Sequence, residues 1–335
     1  MQSALSNLSV TIVVAVADRF SCTPKTLDEI LNRAAEYPFD LIFVDGSSPQ
    51  HIQKYLDEKV GKNQLKVIRS EHYLSPSQSR NMGAAMAESE YILFIDNDVF
   101  VEDGWLKALV QCAKETDADV ITPLVCIGEP IGETIHLAGG ETHIEMNDLA
   151  EGEKNARKLY VKHHFANQPL KKAKEKLKRQ SCSLVDLHCV LVKKQVFEAV
   201  DGFDESLLNT REHVDFCLRV QERGFSIYCE PDSVVTYVPG EFPNALEWSD
   251  IPYFSLRWSD SWEKKSLNRF IEKWDLAEDN YFRMRFKKLG QYRKDALLKP
   301  IFLKLRKYRM SKIEKPLAKL ESFLNNYFYN NGKAV

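Results

Sequence analysis

Tyr91-Ile92-Leu93-Phe94-Ile95-Asp96-Asn97-Asp98-Val99 is the stretch from which the fold can be read. An unbroken apolar run that stops at carboxylates describes a strand buried on both faces and ending in a polar turn. Two upstream runs repeat the pattern: residues 10–17 lead into Asp18-Arg19, and residues 41–44 lead into Asp45-Gly46. Residues 24–37 and 78–89, between the runs, have helical spacing, so the order is β-α-β-α-β. This alternation predicts an α/β fold with a Rossmann-like, mostly parallel sheet flanked by helices. Such sheets bind ligands just beyond the carboxyl ends of their strands. Asp18, Asp45, Asp96 and Asp98 all fall there.

Downstream, residues 105–116 read as a helix leading to a strand at 120–123, which closes a further β-α unit. Periodicity then weakens from 128 to 180, through Gly139-Gly140, a polar patch at 151–155 and the lysine-rich residues 171–179. A stretch of that length predicts a lid or acceptor-facing loop, with a solvated helix over 170–179 as the alternative. Order resumes with a strand pattern at 183–192, a short helix at 195–200 and a Gly202-Phe203-Asp204-Glu205 turn. A helix over 212–224 stops at Gly224, and strands at 226–229 and 234–238 follow.

Bulk properties narrow the function classes. The 335 residues are 44% apolar and 28% charged, with a formal net charge of −2. No global field draws such a chain to nucleic acid, and no nucleic-acid partner is expected. The seven cysteines form no Cys-x-x-Cys pair, which suits reduced thiols in a cytoplasmic protein. Residues 10–17 are too few to span a bilayer and lack the basic flank of a signal peptide. Residues 281–319 carry fourteen Lys or Arg against Asp295 and Glu314. The chain therefore divides into a body, 1–275, and a basic helical extension, 276–335. The extension either docks peripherally on anionic lipid, holds an acidic or lipid-linked acceptor, forms a subunit contact, or packs its apolar side on the body.

The chemistry concentrates at the strand ends. Asp96 and Asp98 are hard oxygen ligands at the lip of a parallel sheet, suited to Mg²⁺ or Mn²⁺ shared with a diphosphate. Phe43-Val44-Asp45-Gly46-Ser47 is a strand end where a carboxylate can accept the N–H of a nucleobase. Ser79-Arg80-Asn81-Met82-Gly83 opens a helix, placing a guanidinium near backbone donors that suit phosphate.

Together with the 10–16 run and with Gly202-Phe203-Asp204-Glu205 leading to Glu212-His213-Val214-Asp215-Phe216, these segments resemble the inverting glycosyltransferases of family 2, which have the GT-A fold. The resemblance covers residues 8–273. It implies a nucleotide-diphosphate sugar, foremost a UDP-sugar, held by Ala15, Asp18, Asp45, Arg80, Asp96 and Asn97. It also implies Mn²⁺ or Mg²⁺ on Asp98, with Asp96 towards the sugar or ribose. The family commonly has Glu-Asp where this chain has Glu212-His213, so the general base would be Glu212 or His213, with Glu212 preferred. Similar enzymes often place a metal-binding histidine where this chain has Tyr237, so the nitrogen ligand must come from elsewhere, with His188 and His136 as candidates. For the acceptor, a glycan or lipid-linked saccharide, the resemblance and the aromatic content point to His136, Trp258 and Trp262, since sugar faces stack on aromatic rings. Those aromatics could equally close the core. Residues 13–21 contain no glycine, which excludes the phosphate loops of nucleotidylyltransferases and dehydrogenases. The remaining alternative is a degenerate protein that binds nucleotide sugar or scaffolds glycan assembly without catalysis.

Overall fold

A computed structural model describes residues 8–34, 36–146, 157–240, 246–308 and 310–329. The first half comprises β1 (Val10–Ala15), α1 (Thr23–Arg33), β2 (Asp40–Gly46), α2 (Gln50–Gly61), β3 (Lys66–Ser70), α3 (Pro76–Ala85) and β4 (Tyr91–Asp96). β1 pairs in parallel with β2 and β4, and β2 with β3. The two-residue period of the strands feeds two cores: Ile12, Val14, Leu93 and Ile95 pack into one, while Val13, Ile92 and Phe94 pack into the other. α2 and β3 carry no sequence signal of the kind that marks β1, β2 and β4. β3 is an edge strand with Lys66 and Arg69 facing solvent, so it lacks a continuous apolar run.

The chain continues through β5 (Val99–Val101), α4 (Trp105–Thr116), β6 (Val120–Ile127), β7 (Ile135–Leu137), β8 (Gly140–Met146), β9 (Arg157–His163), α5 (Leu170–Ala173) and β10 (Gln180–Ser181). β11 (Cys189–Lys193), α6 (Lys194–Ala199), α7 (Glu212–Glu222) and β12 (Ile227–Tyr237) complete the sheet region. Its order is β10-β12-β6-β11-β4-β1-β2-β3. β11 runs antiparallel between β4 and β6, whereas β6 and β12 are parallel.

Three expectations change. The supposed loop at 128–180 contains a β8–β9 hairpin forming its own two-stranded sheet, while the polar patch at 151–155 lies outside the described residues. The strands expected at 226–229 and 234–238 are one strand, β12, whose register shifts between Glu230 and Val234. The strand expected at 183–192 begins only at Cys189, leaving Asp186 and His188 in the irregular approach to it.

α8 (Ile251–Arg257), α9 (Asp260–Trp274), α10 (Asn280–Lys287), α11 (Gln291–Lys307) and α12 (Glu314–Tyr329) follow. The basic extension folds back on the body: Phe282 is buried in the second core, and Arg293 is fully buried. Arg293 donates to the Trp258 carbonyl, to Asp260 at 3.0 Å and to Glu321 at 2.5 Å. Among the described residues no helix is long and apolar enough to cross a membrane.

Candidate active site

Asp96 ends β4 beside Ala15 of β1. Its carboxylate accepts from Arg80 Nη2 at 2.6 Å and lies 2.9 Å from His188 Nδ1. Arg80 comes from α3, which starts at Pro76 under a Ser75–Gln78 capping box, two residues earlier than its sequence pattern indicates. The guanidinium therefore leaves the side of the helix, not its N-terminus. α3 reaches Asp96 because Gly83 lets it lie against β1: a Cβ there would meet Val13 Cγ1 at 2.2 Å. Arg80 Nε and Nη1 have no hydrogen-bond partner, so one edge of the cation is available. The neighbouring Asn81 clamps the Gly202 turn, accepting from Phe203 N–H and donating to Phe203 C=O, each at 2.9 Å.

Asp98 is fully buried, and neither carboxylate oxygen has a hydrogen-bond partner. Burial, then the nearby Asp18 and Asp96 charges, hold its carboxyl well above the usual carboxylate range, against the pull of Arg19 and His188. A buried, unpartnered carboxylate among other carboxylates is unfavourable when charged, and a divalent cation is a partner that would relieve it. The oxygen-rich donor set fits Mn²⁺ or Mg²⁺.

Tyr237, standing where a histidine is expected, donates instead to Asp18 at 3.1 Å. An imidazole is nonetheless beside it: the His188 ring stacks on Tyr237 with centroids 3.9 Å apart and planes at 14°. His136, Asp186 and His188 place ligand atoms within 4.8 Å of one another, a mixed nitrogen and oxygen set suited to a divalent transition metal. His136 Nε2 is 3.1 Å from Asp186.

A cavity of about 240 Å³ joins Asp18, Arg80, Asp96, Asp186, His188, Glu212, His213, Tyr237 and Trp258. Asp18 is held there by Trp258 Nε1 at 2.8 Å, Tyr237 and Tyr292. Glu212 is the first residue of α7; its Oε1 lies 3.5 Å from Arg257 Nη2, and its buried Oε2 has no partner. Burial pushes the His213 imidazole down to about 4, against the pull of Asp186 and Glu212, so it is neutral at pH 7. Asp215 braces the helix, accepting from Trp274 Nε1 at 3.0 Å and Arg219 at 2.8 Å.

Not every expected contact reaches the cavity. Asp45 is buried at the end of β2 but accepts from Ser48 N–H at 2.8 Å and does not line the cavity. Tyr73, Tyr253 and Phe20 cluster nearby, and the Tyr253 hydroxyl donates to the Val16 and Leu74 carbonyls at 3.1 Å. Asn97 uses its amide within the β1–α1 turn: its oxygen accepts from Ala17 N–H, and its nitrogen donates to Arg19 C=O and Thr23 Oγ1. The Ala15 carbonyl is taken by Asn97 N–H at 2.9 Å. His136 does not line the cavity but lies against two residues that do, Asp186 at 3.1 Å and the His188 ring at 5.7 Å between centroids; Trp262 does not line it either. Conversely, Asp186, Asn209, Thr210 and Tyr292 line it without having been singled out in the sequence. Asp186-Leu187-His188 did carry a signal, since it is another Asp-x-ligand pair, here directly before an apolar strand; Tyr292, inside a basic helix, carried none.

The sequence profile described as glycosyl transferase family 2 matches residues 11–200, more than half the chain. The chain belongs to glycosyltransferase family 2. The pre-mycofactocin glycosyltransferase of Mycobacterium tuberculosis is 23% identical over 236 residues, covering 70% of this chain and 44% of that one. An uncharacterized Sinorhizobium fredii protein, y4gI, is 25% identical over 65% of this chain and 23% of its own length. The chain thus spans less than half the length of these relatives. GalNAc-T7, solved with UDP, GalNAc and Mn²⁺, superposes with a TM-score of 0.54 at 17% identity, over 87% of this chain and 55% of that one. A Pyrobaculum calidifontis mannosyltransferase, solved with GDP-Man and Mn²⁺, gives 0.50 at 12% identity, over 80% and 65%. At these identities the likeness establishes the GT-A fold of this family-2 chain.

Proposed function

We propose that this family-2 protein transfers a sugar, with inversion, from a nucleotide-diphosphate donor, foremost a UDP-sugar, to a hydroxyl of a saccharide or lipid-linked acceptor in glycan assembly. The observation that carries the reading is the buried, unpartnered carboxylate of Asp98, whose neighbours Asp18, Asp96 and His188 line the cavity that also receives Glu212. UDP with GalNAc in one superposed structure and GDP-Man in the other, each with Mn²⁺, support it by analogy. Asp98 would hold Mn²⁺ or Mg²⁺, with His188, Asp186 and His136 as the adjoining donors in place of Tyr237. Bound there, the ion supplies Lewis-acid stabilisation of the departing diphosphate.

Arg80 has two free guanidinium nitrogens for phosphate oxygens, while Asp96 fixes its orientation and faces the sugar or ribose. Asp18, held by three aromatic donors, lines the donor side of the cavity, and Trp258 offers a stacking face. Glu212 Oε2 is free to accept the acceptor's proton, and Arg257 keeps that carboxylate oriented. His213, neutral at pH 7, is the second candidate base. The nucleobase lies beside Asp18, since Asp45 stands outside the cavity. The free Glu212 oxygen argues against the non-catalytic alternative. The 276–335 extension would complete the 1–275 catalytic unit, and its exposed Ile301, Leu303, Tyr308 and Met310 stand among basic residues, which supports peripheral membrane contact through 281–319 on the cytoplasmic side.

Asp98→Asn and Glu212→Gln test the assignment across a panel of nucleotide sugars with Mn²⁺. Each variant should lose about a thousandfold in turnover. Only Asp98→Asn should also lose the thermal stabilisation given by UDP with Mn²⁺. Full activity of Asp98→Asn in chelator would overturn the metal reading. Undiminished Glu212→Gln beside an inactive His213→Ala would move the base to the histidine.

A further inference from the structure

A second cavity, of about 480 Å³, shares Thr210 and His213 with the first. Its walls are β9 of the hairpin, the turn before α7, and α10 of the basic extension, which contribute Val161, Arg211, Tyr281, Phe282 and Arg285. The volume suits a saccharide unit of one or two rings.

Two guanidinium groups face this space, each with a buried Nε that has no hydrogen-bond partner. Arg211 adopts a left-handed backbone, φ 72°, a conformation costly for a side-chain-bearing residue and held here directly before Glu212. Its guanidinium lies 4.5 Å over the Tyr281 ring, its buried Nε has no partner, and among the described residues it forms no ion pair. Arg285 pairs with Glu263 through Nη2, leaving its own Nε buried and unpartnered. Asp279, the carboxylate in the lining, accepts the Phe282 N–H at 3.1 Å as the cap of α10. Burial pushes Arg211 down to about 10, and the charge of Arg285 adds to that shift. An anion between the two arginines would satisfy donors that the protein leaves open.

We propose that this cavity is the acceptor subsite and that it takes an anionic sugar, its carboxylate or phosphate between Arg211 and Arg285 and its ring against Tyr281. The acceptor role rests on the transferase reading above: the cavity opens onto His213 and lies one residue from Glu212, so a sugar held there presents a hydroxyl to the base. Anionic recognition rests on the arginines alone. The β8–β9 hairpin and the basic extension thereby gain a role in specificity.

Calorimetric titration of the full chain with glucuronate, glucose 6-phosphate and glucose, with and without saturating UDP and Mn²⁺, tests this. Both anionic sugars should bind at least tenfold more tightly than glucose, and UDP should not displace them. Arg211→Met should weaken their binding at least tenfold while the melting temperature stays near wild type, and Arg285→Gln should do the same should Arg211→Met misfold. Equal binding of glucose, wild-type affinity in both variants, or displacement by UDP would overturn the proposal. Carboxylate and phosphate sugars are separate arms, and binding of either supports the site. Loss of anionic-sugar binding with UDP binding intact overturns this subsite alone. Loss of UDP binding with anionic-sugar binding intact overturns the transferase reading and, with it, the acceptor role.

Discussion

Asp96 and Asp98 stand two positions apart yet end in opposite states. Asp96 is paired with Arg80 and His188, whereas Asp98 has no partner, and Asn97 between them ties down the β1–α1 turn. An Asp-x-Asp spacing predicts ligands, but which carboxylate is already satisfied depends on side chains from other elements. His213 shows the same dependence on surroundings. An unfolded histidine takes up its proton near 6.5, whereas burial holds this one neutral until about 4. The folded state thus gains stability above pH 6.5 and loses it as pH falls from about 6.5 towards 4. In chelator, the wild type should lose about 1–2 kcal/mol more than His213→Gln between pH 7.5 and pH 5, measured by urea unfolding. Parallel pH profiles would show that the imidazole is freely hydrated.

At the element scale, the Arg80–Asp96 pair depends on how closely α3 approaches β1. Gly83 sets that distance, because an added Cβ would overlap Val13 and press on Val44 at 3.2 Å. Gly83→Ala should cost about 1–3 kcal/mol, as overpacking does, and should lower turnover by lifting Arg80 away from Asp96. A variant with wild-type melting and turnover would mean that Val13 yields without moving the helix. Elements with strong local periodicity, such as β1, β4, α4 and α7, were legible in the sequence because burial imposes an apolar rhythm on them. β3 and the β8–β9 hairpin were not, since a solvent-facing edge and a two-stranded satellite leave only a diluted pattern.

For the molecule as a whole, the basic extension is wedded to the catalytic half by a buried cation. Arg293 has no exposed side-chain surface and forms ion pairs with both Asp260 of α9 and Glu321 of α12. Arg293→Ala leaves two carboxylates without a counter-charge and should cost about 3–5 kcal/mol in urea unfolding. Turnover should fall with it, because the adjacent Tyr292 donates to Asp18 at 3.3 Å in the cavity. Unchanged stability would show that α11 docks by its apolar contacts alone. Of the roles open to the fourteen basic residues in 281–319, packing on the body is the one these contacts favour, with Arg285 and Arg293 paired to carboxylates of α9.

The sequence by itself determined the alternating α/β order, the carboxylates at the strand ends, the Arg80 and Glu212 positions and the family, because each is written in a few consecutive residues whose local physics is self-contained. Tertiary structure alone decided that Asp45, Asn97 and Trp262 stand outside the cavity and that His188 occupies the place beside Tyr237. It also decided that Tyr292 closes on Asp18 from 274 positions away. Those outcomes rest on which side chains share a desolvated space, and that is set by how sheet, hairpin and extension close on one another, not by the spacing of residues along the chain.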